Sequence, residues 1–249
     1  MADQKVEVFA NATEIARHAA AEVVRIAKES VSARGAFYFA LSGGSTPKVL
    51  YSLLAEQPAL RNSVPWDKMQ VFFGDERHVG PGQADSNYQM AADAMLSKVP
   101  LKPEQIHRIK GEYPDTAQAA AEYEGVIREQ FNLPPGAFPR FDLILLGMGS
   151  EGHTLSLFPG TKALHESKRV VTNNWVGKLF TERITLTAPA ANAAANLMFM
   201  IAGADKAPAL KAVLEGPHEP DQLPAQMVQP SDGRLFWLLD EAAASMLSK

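Results

Sequence analysis

The sequence FDLILLGMG at residues 141–149 is a short apolar run that leads directly into a glycine-rich turn. An uninterrupted apolar run of this length is typical of a strand that is buried on both faces, as in a parallel sheet covered by helices. Similar apolar runs at residues 36–41 and 69–73 lead into the turns SGGST and GDERH. These three segments predict central strands that end in polar or glycine-rich turns.

The rest of the chain alternates strand-like and helical segments. Asn11 and Glu14 form a capping pattern that predicts a helix with one apolar face, and residues 74–86 are predicted to be a polar loop. Because parallel neighbours need crossover connections, the alternation predicts an α/β fold with a mainly parallel sheet and helices on both faces. Further strands are predicted at 5–9, 106–109, 169–172, 184–187, 197–201 and 235–239, and further helices at 46–55, 88–96, 115–131, 206–214 and 241–247.

Length and composition predict one globular domain over residues 1–249. Apolar residues make up 46% of the chain and charged residues 21%, which is the balance of a packed protein rather than a disordered one. The formal net charge of −4 argues against a nucleic-acid partner, because that role needs a clustered cationic surface. The chain has no cysteine, which excludes disulfides, thiolate metal ligands and a cysteine nucleophile.

Neither export nor a membrane partner is expected. The first residues lack the basic start and apolar run of a secretory signal, so a cytoplasmic location is predicted. The longest uncharged stretch, residues 184–204, is interrupted by Pro189, Asn192 and Asn196. We interpret this stretch as buried strands and helices rather than a membrane span.

The turn SGGSTP at residues 42–47 joins a predicted strand to a helix that has proline in its first turn. Its glycines allow a ligand to approach the backbone closely, and amides and hydroxyls at the positive end of a helix can bind phosphate. The alternative is an ordinary tight turn with a capping residue. This turn alone leaves both interpretations open.

The turn GDERH at residues 74–78 places two acids and two potential cations directly after a strand. Arginine suits an oxygen-rich ligand because its planar guanidinium donates several hydrogen bonds and keeps its charge. The alternative is a surface salt bridge, which contributes about 0–1 kcal/mol and has no functional role. The position favours function, because ligands of parallel sheets bind beyond the carboxyl ends of the strands.

The turn GMGSEG at residues 147–152 matches the dinucleotide-binding pattern GxGxxG. A nicotinamide site is disfavoured because the next predicted strand ends in two asparagines rather than an acid, and Pro159 interrupts the helix. His153 follows the turn directly, and histidine can take a proton from water near neutral pH. A structural histidine is the alternative, and His78 is the rival candidate.

Two other catalytic classes lack sequence support. Neither HExxH nor another compact metal-ligand spacing occurs, so no metal is expected. The serine-elbow pattern GxSxG is also missing. Hydrolysis by a base-activated water is therefore favoured over a serine nucleophile.

Six segments together resemble the 6-phosphogluconolactonases of the glucosamine-6-phosphate isomerase/6-phosphogluconolactonase family. They are LSGGSTP at 41–47, GDER at 74–77, SNY at 86–88, GMGSEGHTLSLFPG at 147–160, RITLT at 183–187 and GADK at 203–206. Their order and spacing cover nearly the whole chain. The resemblance implies a Rossmann-like three-layer α/β/α fold, which is shared with sugar-phosphate deaminases and isomerases.

The resemblance also implies a reaction, the hydrolysis of 6-phosphoglucono-1,5-lactone to 6-phosphogluconate in the pentose phosphate pathway without a cofactor. His153 would activate water for attack on the lactone carbonyl. Arg77 would clamp the substrate and stabilise the oxyanion, and Asp75 would hold Arg77 or a sugar hydroxyl. The phosphate would be bound by residues from three segments: Ser42, Gly43, Gly44, Ser45, Thr46, Arg183 and Lys206.

One position departs from the family pattern, because Glu151 stands where the family usually has aspartate. The extra methylene moves the carboxylate by roughly 1.5 Å, and errors of that order matter for orientation. Glu151 is a candidate orienting residue, but this departure disfavours that role and leaves the base role of His153 unaffected.

Two other functions stay open on the sequence alone. An amino-sugar phosphate isomerase or deaminase of the same fold would resemble Asp-Glu-Tyr at the second turn, where this chain has Asp75, Glu76 and Arg77. A sugar-phosphate-binding regulator would keep the phosphate turn and lose the base, whereas His153 is present. Both a monomer and a homodimer are compatible with the sequence.

Overall fold

Six parallel strands form the central sheet of the computed structural model, which describes residues 3–248. In the described part of the chain the strands are β1 (Asp3–Phe9), β2 (Phe37–Leu41), β3 (Met69–Phe73), β4 (Asp75–Arg77), β5 (Leu143–Leu146), β6 (Val171–Val176), β7 (Thr181–Leu186), β8 (Asn196–Ile201) and β9 (Arg234–Asp240). The central sheet has the order β1-β9-β8-β5-β2-β3, and each neighbouring pair is parallel. All four residues of β5 are buried, as expected of a central strand.

Helices flank this sheet, which confirms the predicted α/β fold. The first helix begins after Asn11, whose side chain accepts hydrogen bonds from the amides of Thr13 and Glu14. No helix in residues 3–248 combines the length and the apolarity that crossing a bilayer requires. The α-helices of the described chain are α1 (Ala12–Arg34), α2 (Ser45–Glu56), α3 (Pro58–Arg61), α4 (Asn87–Ala94), α5 (Thr116–Gln130), α6 (Ala188–Asn192) and α7 (Ala207–Glu215).

A second, three-stranded sheet corrects part of the sequence prediction. The strands expected near 169–172 and 184–187 do not belong to the parallel sheet, because they are β6 and β7 of an antiparallel sheet with the order β4-β7-β6. Only four residues separate β6 from β7, which is too short for the crossover that a parallel pair needs. The predicted polar loop at 74–86 also contains the third strand, β4.

Two further predictions of local structure are wrong. Residues 106–109 form no strand, since only an isolated bridge joins Ile106 to Val71. Residues 241–247 form no α-helix but contain a 3-10 turn at Ala243–Met246, although Asp240 does accept a hydrogen bond from the amide of Ala243 as a capping residue would.

The carboxyl ends of β8, β5, β2 and β3 lie side by side at one edge of the central sheet. The chain leaves these strands at residues 202, 147, 42 and 74. The three turns selected from the sequence therefore start from adjacent strands, at the edge where parallel sheets bind their ligands.

Candidate active site

One cavity of about 550 Å³ lies at this edge of the sheet. Residues of all three turns contribute to its wall, together with residues of β7 and the segment before α7. His78 is not among the lining residues, and its Nε2 lies 2.8 Å from the carbonyl oxygen of Tyr113. The cavity is lined by every other candidate from the sequence: Ser42, Gly43, Gly44, Ser45, Thr46, Asp75, Arg77, Glu151, His153, Arg183 and Lys206.

The turn at residues 42–46 starts α2 without a capping side chain. Gly44 occupies the N-cap position with φ of +113°, a backbone conformation that favours glycine. Because no capping side chain occupies the first-turn amides of α2, they are available to an anion at the positive end of the helix. Ser45 and Thr46 add hydroxyl groups beside these amides.

Gly43 is required by a close neighbour, Asn87. A Cβ atom on Gly43 would lie 1.9 Å from Oδ1 of Asn87. The side-chain nitrogen Nδ2 of Asn87 donates to the carbonyl oxygen of Asp75 at 2.9 Å and to its Oδ1 at 3.2 Å. Asn87 thus connects the first turn to the second, a role that sequence reasoning missed although the SNY segment contains the residue.

Asp75 is buried and is held by two neutral side chains. Its Oδ2 accepts a hydrogen bond from Oγ of Ser156 at 2.6 Å, and its Oδ1 accepts the bond from Asn87. The structure does not pair Asp75 with Arg77, since no hydrogen bond or ion pair joins the two side chains in the described part of the chain. The guanidinium of Arg77 donates instead to the carbonyl oxygen of Asp85. Ser156 is a second residue to which the sequence pattern had assigned no role.

Glu76 organises the second turn from inside the protein. Its side chain is only 2% exposed, so a surface salt bridge does not describe this residue. Burial raises the pKa of Glu76, while hydrogen bonds from the backbone act in the opposite direction. Its carboxylate accepts hydrogen bonds at 2.8 to 3.0 Å from the amides of Arg77, Asn87 and Tyr88 and from Oγ of Ser86.

Arg77 and Arg183 are direct partners in the antiparallel pairing of β4 and β7. Two like charges directly opposite each other are unfavourable. Arg77 donates to the carbonyl of Asp85 and Arg183 to Oγ1 of Thr181 and the carbonyl of Glu182, so within residues 3–248 no carboxylate pairs with either guanidinium. Burial lowers the pKa of Arg183, and the charge of Arg77 lowers it further. This arrangement is suited to a bound anion.

Lys206 brings a third cation to the same cavity. It ends a 3-10 turn that follows β8 and leads into α7. Its side chain is 25% exposed, and its Nζ lies 3.0 Å from Oδ2 of Asp205. The cavity therefore has a concentration of positive charge that the net charge of the chain conceals.

His153 is fixed by hydrogen bonds within its own turn. The amide of Gly149 donates to its carbonyl oxygen at 2.9 Å, and the amide of Gly152 donates to the carbonyl of Gly149 at 3.0 Å. The imidazole stacks on the ring of Phe158 with 4.0 Å between the centroids. Nδ1 is buried and lies 3.2 Å from Oε2 of Glu151, without the geometry of a hydrogen bond. Nε2 is therefore the nitrogen left to meet a ligand or water in the cavity.

The surroundings of His153 keep its imidazole neutral at pH 7. The pKa of His153 is lowered to about 4, and burial is the largest cause. Asp75 acts in the opposite direction, whereas the positive charges of Lys206, Arg183 and Arg77 contribute to the lowering. A neutral imidazole can accept a proton, which a protonated one cannot.

This low pKa predicts the outcome of an NMR titration. Because the folded-state pKa is about 4, the Cε1–H signal of His153 is expected to show no titration step between pH 8 and pH 5. An unperturbed histidine would titrate near pH 6.5. The signal is assigned by its loss in His153→Ala, and a step close to pH 6.5 would contradict the prediction.

Glu151 also forms an ion pair with Lys178, a residue that sequence reasoning missed. Lys178 lies in the turn Gly177–Leu179 between β6 and β7, and its Nζ is 5.7 Å from the ring centroid of Phe158. It also lines the cavity. A lysine in a turn gives no sequence signal, because only the pairing of the second sheet brings it to Glu151.

Fold and cavity together define an α/β protein whose cationic cavity, at the carboxyl edge of its parallel sheet, is suited to an anion. In the part of the chain that the structure describes, no three His, Asp or Glu side chains are grouped as metal ligands. The family model described as Glucosamine-6-phosphate isomerases/6-phosphogluconolactonase matches residues 10–237. The chain belongs to this family.

Individual relatives match over the full length. The 6-phosphogluconolactonase of Nostoc sp. is 42% identical over 244 residues, which cover 98% of both chains. That of Synechocystis sp. is 41% identical over 244 residues, with the same coverage of both chains. The structure of 6-phosphogluconolactonase from Trypanosoma cruzi matches with a TM-score of 0.88 and 29% identity, covering 100% of this chain and 99% of that one.

Proposed function

We propose that this chain hydrolyses 6-phospho-D-glucono-1,5-lactone to 6-phospho-D-gluconate in the oxidative pentose phosphate pathway. The main support is one cavity that combines a neutral His153 with three cationic side chains and an uncapped helix start. A phosphorylated lactone has the two matching groups, an anion for the cations and an ester carbonyl for the base. The names of the relatives that match over the full length agree with this substrate.

His153 acts as the general base in this proposal. Its Nε2 takes a proton from water while the water oxygen attacks the lactone carbonyl carbon. Arg77 stabilises the negative charge that develops on the carbonyl oxygen. When the tetrahedral intermediate collapses, the bond from the carbonyl carbon to the ring oxygen breaks, and the imidazolium returns the proton to that oxygen. The carboxylate of Glu151, with Oε2 3.2 Å from Nδ1, stabilises the transient imidazolium by its negative charge.

The phosphate group anchors the other end of the substrate. The amides and hydroxyls of residues 42–46 bind it together with Arg183 and Lys206. Asp75 accepts a hydrogen bond from a sugar hydroxyl. Binding energy from this remote group holds the lactone ring against His153. Because a lactone is already an activated ester, water, a base and charge stabilisation are sufficient, and the proposal includes no cofactor.

Two substrates distinguish this function from its alternatives. The protein is assayed with freshly prepared lactone, corrected for spontaneous hydrolysis, and with glucosamine 6-phosphate by ammonia release. We expect hydrolysis of the lactone and no ammonia. Ammonia release alone would assign a deaminase, and binding of 6-phosphogluconate without any turnover would assign a regulator.

Replacing Lys206 with alanine is expected to raise KM about tenfold and to leave kcat nearly unchanged. The cation attracts the phosphate equally in the ground state and the transition state, so its loss weakens uniform binding. Lys211→Ala is the matched control, because Lys211 lies on α7, pairs with Glu215 and is not part of the cavity wall. Equal KM values for the Lys206 and Lys211 variants would show that Lys206 does not bind the phosphate.

A further inference from the structure

We propose that two buried tyrosines, Tyr51 and Tyr123, are positioning residues of this site. Each fixes the backbone at the point where a central strand ends and a substrate-binding turn begins. Neither lines the cavity, so both act through the residues that do. The inference rests on the proposed function for its kinetic consequences, although its structural part stands without it.

The two hydroxyls make the same pair of hydrogen bonds at neighbouring strands. Tyr51 donates to the carbonyl oxygen of Ser42 at 2.8 Å and accepts from the amide of Ser42 at 3.0 Å. Tyr123 donates to the carbonyl oxygen of Phe73 at 2.9 Å and accepts from the amide of Phe73 at 2.8 Å. Each hydroxyl therefore satisfies both backbone groups of a single residue.

The sheet itself leaves these backbone groups without a strand partner. Ser42 is the first residue beyond β2, and Phe73 is the last residue of β3, which is the edge strand of the central sheet. The hydroxyl of Tyr123 takes the place of the neighbouring strand that an edge lacks. Because Tyr51 is 0% and Tyr123 2% exposed, water cannot replace either hydroxyl without local opening.

The hydroxyl groups of Tyr51 and Tyr123, here called the two anchors, act on different ends of the site. Tyr51 belongs to α2, the helix that the turn at residues 42–46 starts, so its bond ties both ends of that turn to one helix. Tyr123 belongs to α5 and fixes the residue just before Gly74, from which the chain continues into β4 with Asp75 and Arg77. The first anchor thus sets the phosphate end, and the second sets the end where the carbonyl reacts.

Burial keeps both anchors in one protonation state. It raises the pKa of Tyr51 and of Tyr123 far above the neutral range. The phenol proton that each carbonyl accepts is therefore present at neutral pH.

The test is the pair Tyr51→Phe and Tyr123→Phe, which remove the same atom from two equally buried positions. Tyr51→Phe is expected to raise KM and to weaken binding of inorganic phosphate and 6-phosphogluconate about tenfold, with kcat little changed. Tyr123→Phe is expected to lower kcat about tenfold, with little change in phosphate or product binding. Tyr38→Phe is the control, since Tyr38 lies on β2 and its hydroxyl makes, within residues 3–248, only one hydrogen bond, of 3.4 Å to the carbonyl oxygen of Gln130.

Three results would overturn the proposal. Loss of thermal stability in both variants with unchanged kinetic and binding constants would reduce the tyrosines to packing residues. Equal effects of both variants on kcat, KM and ligand binding would show that the two tyrosines do not act on different ends of the site. The third result comes from the wild-type protein and so does not depend on a variant that folds. Hydrogen exchange of the Ser42 and Phe73 backbone amides at the rate of an open loop would show that the tyrosine hydroxyls do not hold these residues.

The same measurements separate this inference from the proposed function. A wild-type protein without lactonase activity would contradict the proposed function alone. Binding of inorganic phosphate to wild type and Tyr51→Phe would still test the anchor, because it requires no turnover.

Discussion

Replacing His153 with alanine is expected to lower kcat by about 10²–10⁴-fold, the usual contribution of a general base. Binding of 6-phosphogluconate is expected to persist, because the turn at residues 42–46, Arg183 and Lys206 are unchanged. The variant therefore separates proton transfer from substrate binding. Steady-state kinetics, corrected for spontaneous lactone hydrolysis, together with calorimetric titration of the product, measure the two quantities.

His165→Ala is the matched control for this variant. The side chain of His165 is 70% exposed, lies 4.0 Å from Asp221 and is not part of the cavity wall. It should have wild-type kinetics. If His153→Ala kept more than a tenth of the wild-type kcat, water would have to be activated by another group.

Gly149→Ala is expected to lower kcat about 10²-fold by displacing the imidazole of His153. A Cβ atom at this position would lie 2.1 Å from Nδ1 of His153 and 2.5 Å from Oε2 of Glu151. The imidazole has to move away, and a misplacement of roughly 1 Å can cost about 10²-fold in rate. The measurement is kcat beside product affinity, and only kcat should fall.

Gly147→Ala is the control, because it adds the same methyl group two residues earlier in the same turn. The nearest atom to its Cβ, Oγ of Ser42, is 4.0 Å away, so the methyl group fits without displacement. Comparable losses in both glycine variants would mean that the turn as a whole is sensitive, and that the position of the imidazole is not the cause.

Local sequence was sufficient where the cause of the structure is itself local. The buried strand β5 follows from four consecutive apolar residues, and the start of α1 follows from the capping side chain of Asn11. The three turns could be placed at one edge because parallel strands present their carboxyl ends together. These features depend on neighbours in the chain, which a sequence displays directly.

The second sheet could not be predicted in the same way. The strand β4 has three residues, and its charged sequence DER is typical of a loop. It becomes a strand only because β7, more than a hundred residues later, pairs with it. The strands predicted at 169–172 and 184–187 extend towards each other in the structure, to Val176 and Thr181, and the four residues left between them allow a hairpin but no parallel crossover.

The electrostatics of the site were also beyond sequence reasoning. The low pKa of His153 arises first from burial, which no motif reports. Asn87, Ser156 and Lys178 enter the site through contacts across the fold, and each residue type is common in turns. Sequence could name the candidate catalytic and phosphate-binding groups, while the groups that hold them in place needed the structure.

The paired arginines also show that the charge of this cavity depends on how β4 and β7 are aligned. Arg183 lies opposite Arg77 only in the observed register of β4 and β7. A shift by one residue would bring Glu182 or Ile184 opposite Arg77 and would turn Arg183 to the reverse side of the sheet. Two arginines at these positions are thus not enough to rebuild the cavity in another scaffold. The register of the two strands decides whether the arginines lie opposite each other or whether Arg77 forms a salt bridge with an acid.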